Sequence, residues 1–255
     1  MDQNEENKPS VIYKEQNEKM NAANVRAQES FKYFWRELYW ESRRIIPAHD
    51  FAMIKLAFTQ QFTEDETPKV EHMWVNNLNF DGEHITGELV NEPHQLTNIE
   101  KGDIVSRKVN EISDWMISIE EKTYGGFTIH TMRATMGEEE RERHDQAWGL
   151  NFGDFNDVLL VHQQKENPGN LIEHPMCKIM GSNVRAYINK NPDEITIQDE
   201  NGLSLLHKEA IAGNAEIVKI LLDLGADKEL KSKSNKTALT YAKEMNWQPI
   251  IEILK

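Results

Sequence analysis

Between residues 25 and 46 the apolar positions recur at spacings of three and four: Phe31, Phe34, Trp35, Leu38 and Tyr39, with Ser42 and Ile45 continuing the stripe. That period predicts an α-helix that starts near Glu29 or Ser30 and is stopped by Pro47. An aromatic stripe at this spacing is how a helix covers a sheet, so its expected role is core and not a ligand wall. Ahead of it, residues 1–24 are rich in Asn, Gln, Glu and Lys and read as a flexible tail with a nascent helix at its end. The period then shortens to two. Ile54, Leu56 and Phe58 alternate with Lys55 and Ala57, which predicts a strand over Phe51–Phe58. Residues 60–69 are polar and predict a loop.

Residues 71–91 predict a β-hairpin turning at Asp81-Gly82, a favoured type I′ pair. That register sets Trp74, Leu78, Phe80, Ile85 and Leu89 on one face, with Gly87 opposite Asn76 leaving room for a close neighbour. It sets His72 opposite Asn91 and His84 opposite Asn79, so no histidines meet to hold a metal. Further strands are expected at Ile104–Val109 and Ile112–Ile119, with Trp115, Ile117 and Ile119 on a common face. Thr128 is the expected N-cap of a short helix through Met136. A charged helix follows from Glu138 towards Trp148, its acids set against the helix dipole. Val158–His162 reads as a last strand, and residues 163–170, with Pro168 and Gly169, as a linker.

The last quarter of the chain repeats itself. Gly202, Leu206, Ile217, Val218 and Leu221 recur 33 positions later as Asn235, Leu239, Ile250, Ile251 and Leu254. A period of 33 marks a stacked helical repeat. Asn201-Gly202-Leu203-Ser204-Leu205-Leu206-His207 resembles the opening of an ankyrin repeat. Residues 217–227, Ile-Val-Lys-Ile-Leu-Leu-Asp-Leu-Gly-Ala-Asp, resemble its second helix and exit turn. Val184, Tyr187 and Ile188, followed by Asn191-Pro192-Asp193, fit a degenerate opening repeat. The array therefore has about three units, the first and last irregular. His207 matches the ankyrin histidine, which the resemblance makes structural. The expected fold class is α+β: an antiparallel-sheet domain with flanking helices over 25–165, followed by a short all-α ankyrin array over 166–255.

Net charge is −14 with an isoelectric point near 5.1, which argues against a general nucleic-acid binder and suits a basic partner. The single cysteine, Cys177, cannot form an intrachain disulfide and is expected as a buried thiol. No apolar run approaches the about 18 residues that span a membrane. The polar, acidic start is unlike a secretory signal, so a cytoplasmic location is expected.

The segment from about Phe31 to Asp154 carries Glu71-His72-Met73-Trp74-Val75, Gly87-Glu88-Leu89-Val90-Asn91-Glu92-Pro93, Gly102-Asp103, Ile112-Ser113-Asp114-Trp115-Met116 and Gly125-Gly126-Phe127-Thr128. In order and spacing these resemble a bacterial family of unknown function. Neighbouring families with a similar Trp-Val, Asn-x-Pro, Gly-Asp and Asp-Trp pattern are grouped with immunity proteins of bacterial toxin systems, and some members continue into ankyrin repeats. The resemblance implies an α+β domain and an antitoxin-like role, and supplies no catalytic residues.

Catalytic signatures are absent: the chain has no phosphate-cradling glycine loop with its lysine, no nucleophile elbow and no paired cysteines for zinc. No cofactor or metal is expected. Repeat stacks present extended surfaces, so the expected function is a non-enzymatic protein-protein interaction module, in its concrete form an immunity protein that occludes a basic toxin. Its contact residues are expected at the ankyrin turn tips: Asp199, Glu200, Asn201, Lys233, Asn235 and Lys236. The alternative is a small-ligand-binding or hydrolytic domain targeted by its repeats, with a pocket at His72, Asp114, Trp115 and His130. The bland roles there are a capping residue for Asp114, a core anchor for Trp115 and a half-buried side chain for His130. The run Glu138–Arg143 reads as a solvated helix face, or as a nucleic-acid mimic towards a basic nuclease.

Overall fold

The computed structural model describes residues 8–255, with side chains from residue 17 onwards. The chain has two compact units: residues up to Phe31 with His49–Asn79 and Thr86–Leu159, and Lys32–Ala48 with Phe80–Ile85 and Leu160–Lys255. It is α+β, with a sheet followed by the helical repeats.

Helix α1 runs Lys8–Glu41, so it starts well before the expected position and ends before Pro47. Part of the segment expected as a tail is therefore helical, and residues 1–7 lie outside the described residues. The early turns are anchored by small residues, Ala23 at 4% and Ala27 at 0% exposure, which an apolar-stripe count overlooks. Ile45 lies past the helix end and is 99% exposed, so it does not extend the stripe.

The first unit is built on strands β1 (Phe51–Gln60), β2 (Lys69–Phe80), β3 (His84–Leu89), β4 (Ile104–Lys108), β5 (Ile112–Ile119) and β6 (Lys122–Gly125). Their order in the sheet is β4-β3-β2-β1-β5-β6. Ile54 pairs with Val75 and Trp115, and Leu56 with Met73. Residues paired across strands share a face, and this face meets α1, where the Trp115 indole N–H donates to Ala27 O at 3.0 Å and Ser30 Oγ at 3.1 Å. Lys55 pairs with Trp74 and Asp114, and Met53 with Met116, on the other face. There Trp74 and Met116 cluster with Ile129 and Phe152, supplied by α2 (Phe127–Arg133) and the chain after α3 (Glu138–Trp148).

Three expectations for the sheet and the chain around it change. The hairpin turns on Gly82-Glu83: Asp81 N donates to His84 O, and the Asp81 carboxylate accepts from Glu83 N at 2.8 Å and His84 N at 2.7 Å. A side chain that closes its own turn from the first position displaces the expected Asp81-Gly82 turn. Trp74 also leaves the expected common face. Asn77, at φ +50°, interrupts the alternation of β2, and one extra residue moves a side chain to the opposite face. Gly87 does have a close neighbour, since a Cβ there would lie 2.6 Å from Asn76 O. Third, residues 158–162 form no strand. Gln164 Oε1 accepts from Leu160 N at 2.8 Å and Val161 N at 3.4 Å, which commits those donors to a turn.

The second unit contains α4 (Pro175–Lys190), α5 (Leu205–Ala212), α6 (Ala215–Asp223), α7 (Ala238–Glu244) and α8 (Gln248–Leu254). Pairs α5–α6 and α7–α8 are helical hairpins; α5 stacks on α7, and α6 lies between α4 and α8. Apolar residues at a repeat of 33 thus fall into one continuous core, including Ile217, Leu221, Ile250 and Leu254. The end of α1 and the hairpin tip belong to this unit. Tyr33 meets Trp247 edge-on at 5.6 Å, and Trp35 meets Phe80 at 5.3 Å. The Trp40 indole N–H donates to Asn214 Oδ1 at 3.0 Å and its ring stacks on His174. At the hairpin tip Gly82 has φ +92°, and a Cβ there would lie 2.6 Å from the Tyr241 ring.

Candidate functional site

In the first unit the four expected pocket residues do not converge. Asp114 and Trp115 are consecutive in β5, so their side chains leave on opposite faces. Asp114 is 0% exposed and acts as the N-terminal cap of α2. Its Oδ1 accepts from Trp115 N and Phe127 N, each at 2.9 Å, and its Oδ2 from Thr128 N at 2.8 Å and Thr128 Oγ1 at 2.6 Å. The residue at the N-cap position is Gly126, and Thr128, expected to be the cap, is one of the groups capped. The cap arrives from a neighbouring strand, where a local motif cannot show it. Burial pushes the Asp114 carboxyl above its usual range, against the Thr128 hydrogen bonds and Lys55.

His130 lies on α2, with Nδ1 3.2 Å from the Arg133 guanidinium. Arg133 is itself held in a fork by Asp145, at 2.9 and 2.6 Å. Burial, and then Arg133, lower the His130 pKa to about 4. The imidazole is thus a neutral acceptor inside a structural network. His72 is exposed and shares a 2.9 Å hydrogen bond with Ser113 Oγ.

The sequence pattern missed Lys55. Its alternation with Ile54 and Leu56 puts it on the second face of the sheet, and that face is covered as well. The ammonium lies 3.4 Å from Thr128 Oγ1 and 5.4 Å from the Trp74 ring centroid. Burial lowers its pKa, opposed by Asp114. Lys55 in turn lowers His72, after burial. Among the described residues no group of three or more His, Cys, Asp or Glu side chains could hold a metal ion.

In the second unit the six expected tip residues divide. Glu200, Lys233 and Asn235 are exposed. Asp199 builds its own turn, accepting from Asn201 N and Leu203 N at 2.9 Å each and pairing with Lys208 at 2.8 Å. Asn201 O accepts from Lys233 N at 3.0 Å, so successive tips are joined. Lys236 is held by Glu83 of the hairpin tip and by Glu244 at 3.0 Å. His207 pins the tips from below: Nδ1 lies 2.8 Å from Ser204 Oγ, and Nε2 lies 3.0 Å from Leu230 O. Cys177 is a free, buried thiol 3.2 Å from Asn214 Oδ1, its pKa pushed up by burial.

Two families match successive parts of the chain. The family described as "Uncharacterized protein conserved in bacteria (DUF2314)" matches residues 17–152, and "Ankyrin repeats (3 copies)" matches residues 176–255. The chain is 48% identical over 248 residues to the "Putative ankyrin repeat protein NMB1133/NMB1171" of Neisseria meningitidis serogroup B, covering 96% of this chain and 97% of that one. It is 34% identical over 74 residues to the "Uncharacterized protein YegJ" of Escherichia coli strain K12, covering 29% of this chain and 48% of that one.

Proposed function

The chain belongs to the bacterial DUF2314 family and continues into ankyrin repeats, and from this we propose a non-enzymatic protein-binding module whose partner meets the repeat tips. The observation that carries the reading is the row of exposed side chains Glu200, Lys233 and Asn235 on tips fixed from beneath by His207 and by the Lys233 N–Asn201 O bond. A tip whose backbone is fixed loses little entropy when it binds. Asp199 and Lys236 then support the contact surface instead of meeting the partner, since their charges are used within the unit.

The finer form of the proposal is an immunity protein, acting in the cytoplasm, that binds and occludes a basic bacterial toxin. A net charge of −14 supports it by favouring encounter with a basic partner. Glu138, Glu139, Glu140 and Glu142 on α3 are exposed and contribute to that field.

The test is a pull-down of the tagged full chain from its native host at two salt concentrations, read by mass spectrometry. The expected result is one stoichiometric partner, basic and toxic when expressed alone, released at high salt and lost on combined Glu200→Ala, Lys233→Ala and Asn235→Ala. A stoichiometric partner that is harmless alone would remove the toxin reading and keep the module. A partner retained unchanged by the triple variant would remove the tips.

A further inference from the structure

The repeat array is incomplete at its opening end. In the second and third repeats a first helix (α5, α7) precedes a second helix (α6, α8), and first helices stack on first helices. The opening repeat supplies α4 as its second helix. Ahead of α4 the chain forms only turns and one 3₁₀ turn at Pro168–Leu171. On its open side α5 meets the end of α1, through Tyr39 and Arg43 on Glu209. Beyond that contact lies a groove of about 830 Å³ whose walls include Met180, Val184, Tyr187, Leu205, Ile217 and Leu221. Ile45 and Ile46 form its lip, 99% and 81% exposed.

The groove continues the interface between repeats, because α5, which helps to line it, stacks on α7 along its other side. It is the place a first helix of the opening repeat would take. The guanidinium groups on its walls are already paired, Arg43 with Glu209 and Arg44 with Glu37 and Glu41. Lys190, exposed, lies beside the groove, following Asn183 and Tyr187 along one side of α4. α4 itself carries Lys178, Arg185 and Lys190 and no acid.

We propose that this groove receives an amphipathic helix from a partner polypeptide, seated on α5 as the missing first helix, with an apolar stripe inward and a carboxylate towards Lys190. Helix-in-groove docking of this kind uses anchors at i, i+3, i+4 and i+7. The surface is separate from the repeat tips and stands whatever partner the tips bind.

Repeat symmetry supplies a probe: the missing helix relates to α5 as α5 relates to α7, so α5 itself is the template. A fluorescent, hydrocarbon-stapled peptide of residues 204–214 carrying Lys208→Glu is titrated into the full chain by anisotropy; the staple offsets the poor stability of so short a helix. The expected result is saturable binding with Kd on the order of 10 µM. The unmodified Lys208 peptide should bind more weakly. Ile46→Asp and Tyr187→Asp, both at exposed positions, should weaken binding at least tenfold with an unchanged melting curve, and Glu200→Ala should leave it unaltered. Absence of saturable binding, or binding indifferent to Ile46→Asp and Tyr187→Asp, would overturn the proposal. Tight binding of the fatty-acid probe cis-parinaric acid that the peptide cannot displace would overturn it in favour of a small apolar ligand. A concentration-dependent dimer that excludes the peptide and is abolished by Ile46→Asp would overturn it in favour of a second copy of the chain.

Discussion

Asp114 and Glu209 are both buried carboxylates, one in each unit, and the chain satisfies them in opposite ways. Every donor to Asp114 lies within 14 residues of it, and three of the four are backbone or side-chain groups of Phe127 and Thr128 at the start of one helix. Glu209 draws on Tyr39 and Arg43, which precede it by 170 and 166 residues, as well as on Asn214 at 2.7 Å. The cap on α2 in the sheet unit is thus made by short-range contacts. The first helix of the complete repeats, α5, is met on its open side by a segment from the start of the chain. An ankyrin array of this length is near the lower limit for a stable stack, and here α1 supplies side chains that an additional repeat would otherwise provide.

Removing the local carboxylate should cost most. Asp114→Ala leaves Trp115 N, Phe127 N and Thr128 N without their acceptor in a dry site, and is expected to destabilise the sheet unit by about 3–5 kcal/mol in urea unfolding. Asp114→Asn, which keeps one oxygen, should cost less. A loss below about 1 kcal/mol would mean that α2 finds another cap.

The neighbouring histidine gives the next largest effect, and it is a pH effect. His130 has its pKa lowered from 6.5 to about 4, so the unfolded chain takes up a proton that the folded protein does not accept between those values. Stability from this group is full above pH 6.5 and falls as the pH drops to about 4, by about 3 kcal/mol. In His130→Gln, whose amide oxygen can still accept from Arg133, that part of the acid loss should disappear. Urea midpoints at pH 7 and pH 4.5 for both proteins measure it, and equal acid losses would remove His130 as the cause.

Glu209→Ala should cost about 2 kcal/mol, less than a fully buried pair, because the Arg43 side chain is 31% exposed and can return to water. The informative readout is where the loss falls. Hydrogen exchange should rise in α5 and in the last turn of α1 together. A rise in α5 alone would mean that the long-range contact is not what holds this end.

Legibility in the sequence follows the same contrast between near and far. The period of 33, His207 and the exit turn were readable because each repeat restates a local rule. Helix α3 and strand β5 were readable from charge and alternation. The face of Trp74 was not, since the positive φ of Asn77 reverses a period of two without any mark that Gly or Pro would leave. The burial of Lys55 could not be read, because alternation identifies one covered face and cannot show that α2 covers the other. Asp114 was visible as an acid before a Trp, with capping among its possible roles, but its target 14 positions away was set by the pairing of β5 with β6. The involvement of Glu209 with α1 had no local signal at all.

The smallest predicted effect tests whether a tip residue belongs to the partner surface or to the fold. Lys236 lies among the tips but pairs with Glu83 and Glu244, and its side chain is 22% exposed. Burial works to lower its pKa; the hydrogen bonds and charges of the two carboxylates more than offset this and hold the ammonium above the ordinary lysine value. Such a group adds stability below its unfolded pKa of 10.5 and loses it as the pH rises through the higher folded value. Near neutral pH the pairs are worth about 0.5–1 kcal/mol, and less in salt. Lys236→Ala should therefore lower stability by that amount at low ionic strength and by less at 1 M salt, while a partner bound through Glu200, Lys233 and Asn235 keeps its affinity. Unchanged stability with a tenfold loss of partner affinity would return Lys236 to the contact surface and show that its bond to Glu83 opens when the partner binds.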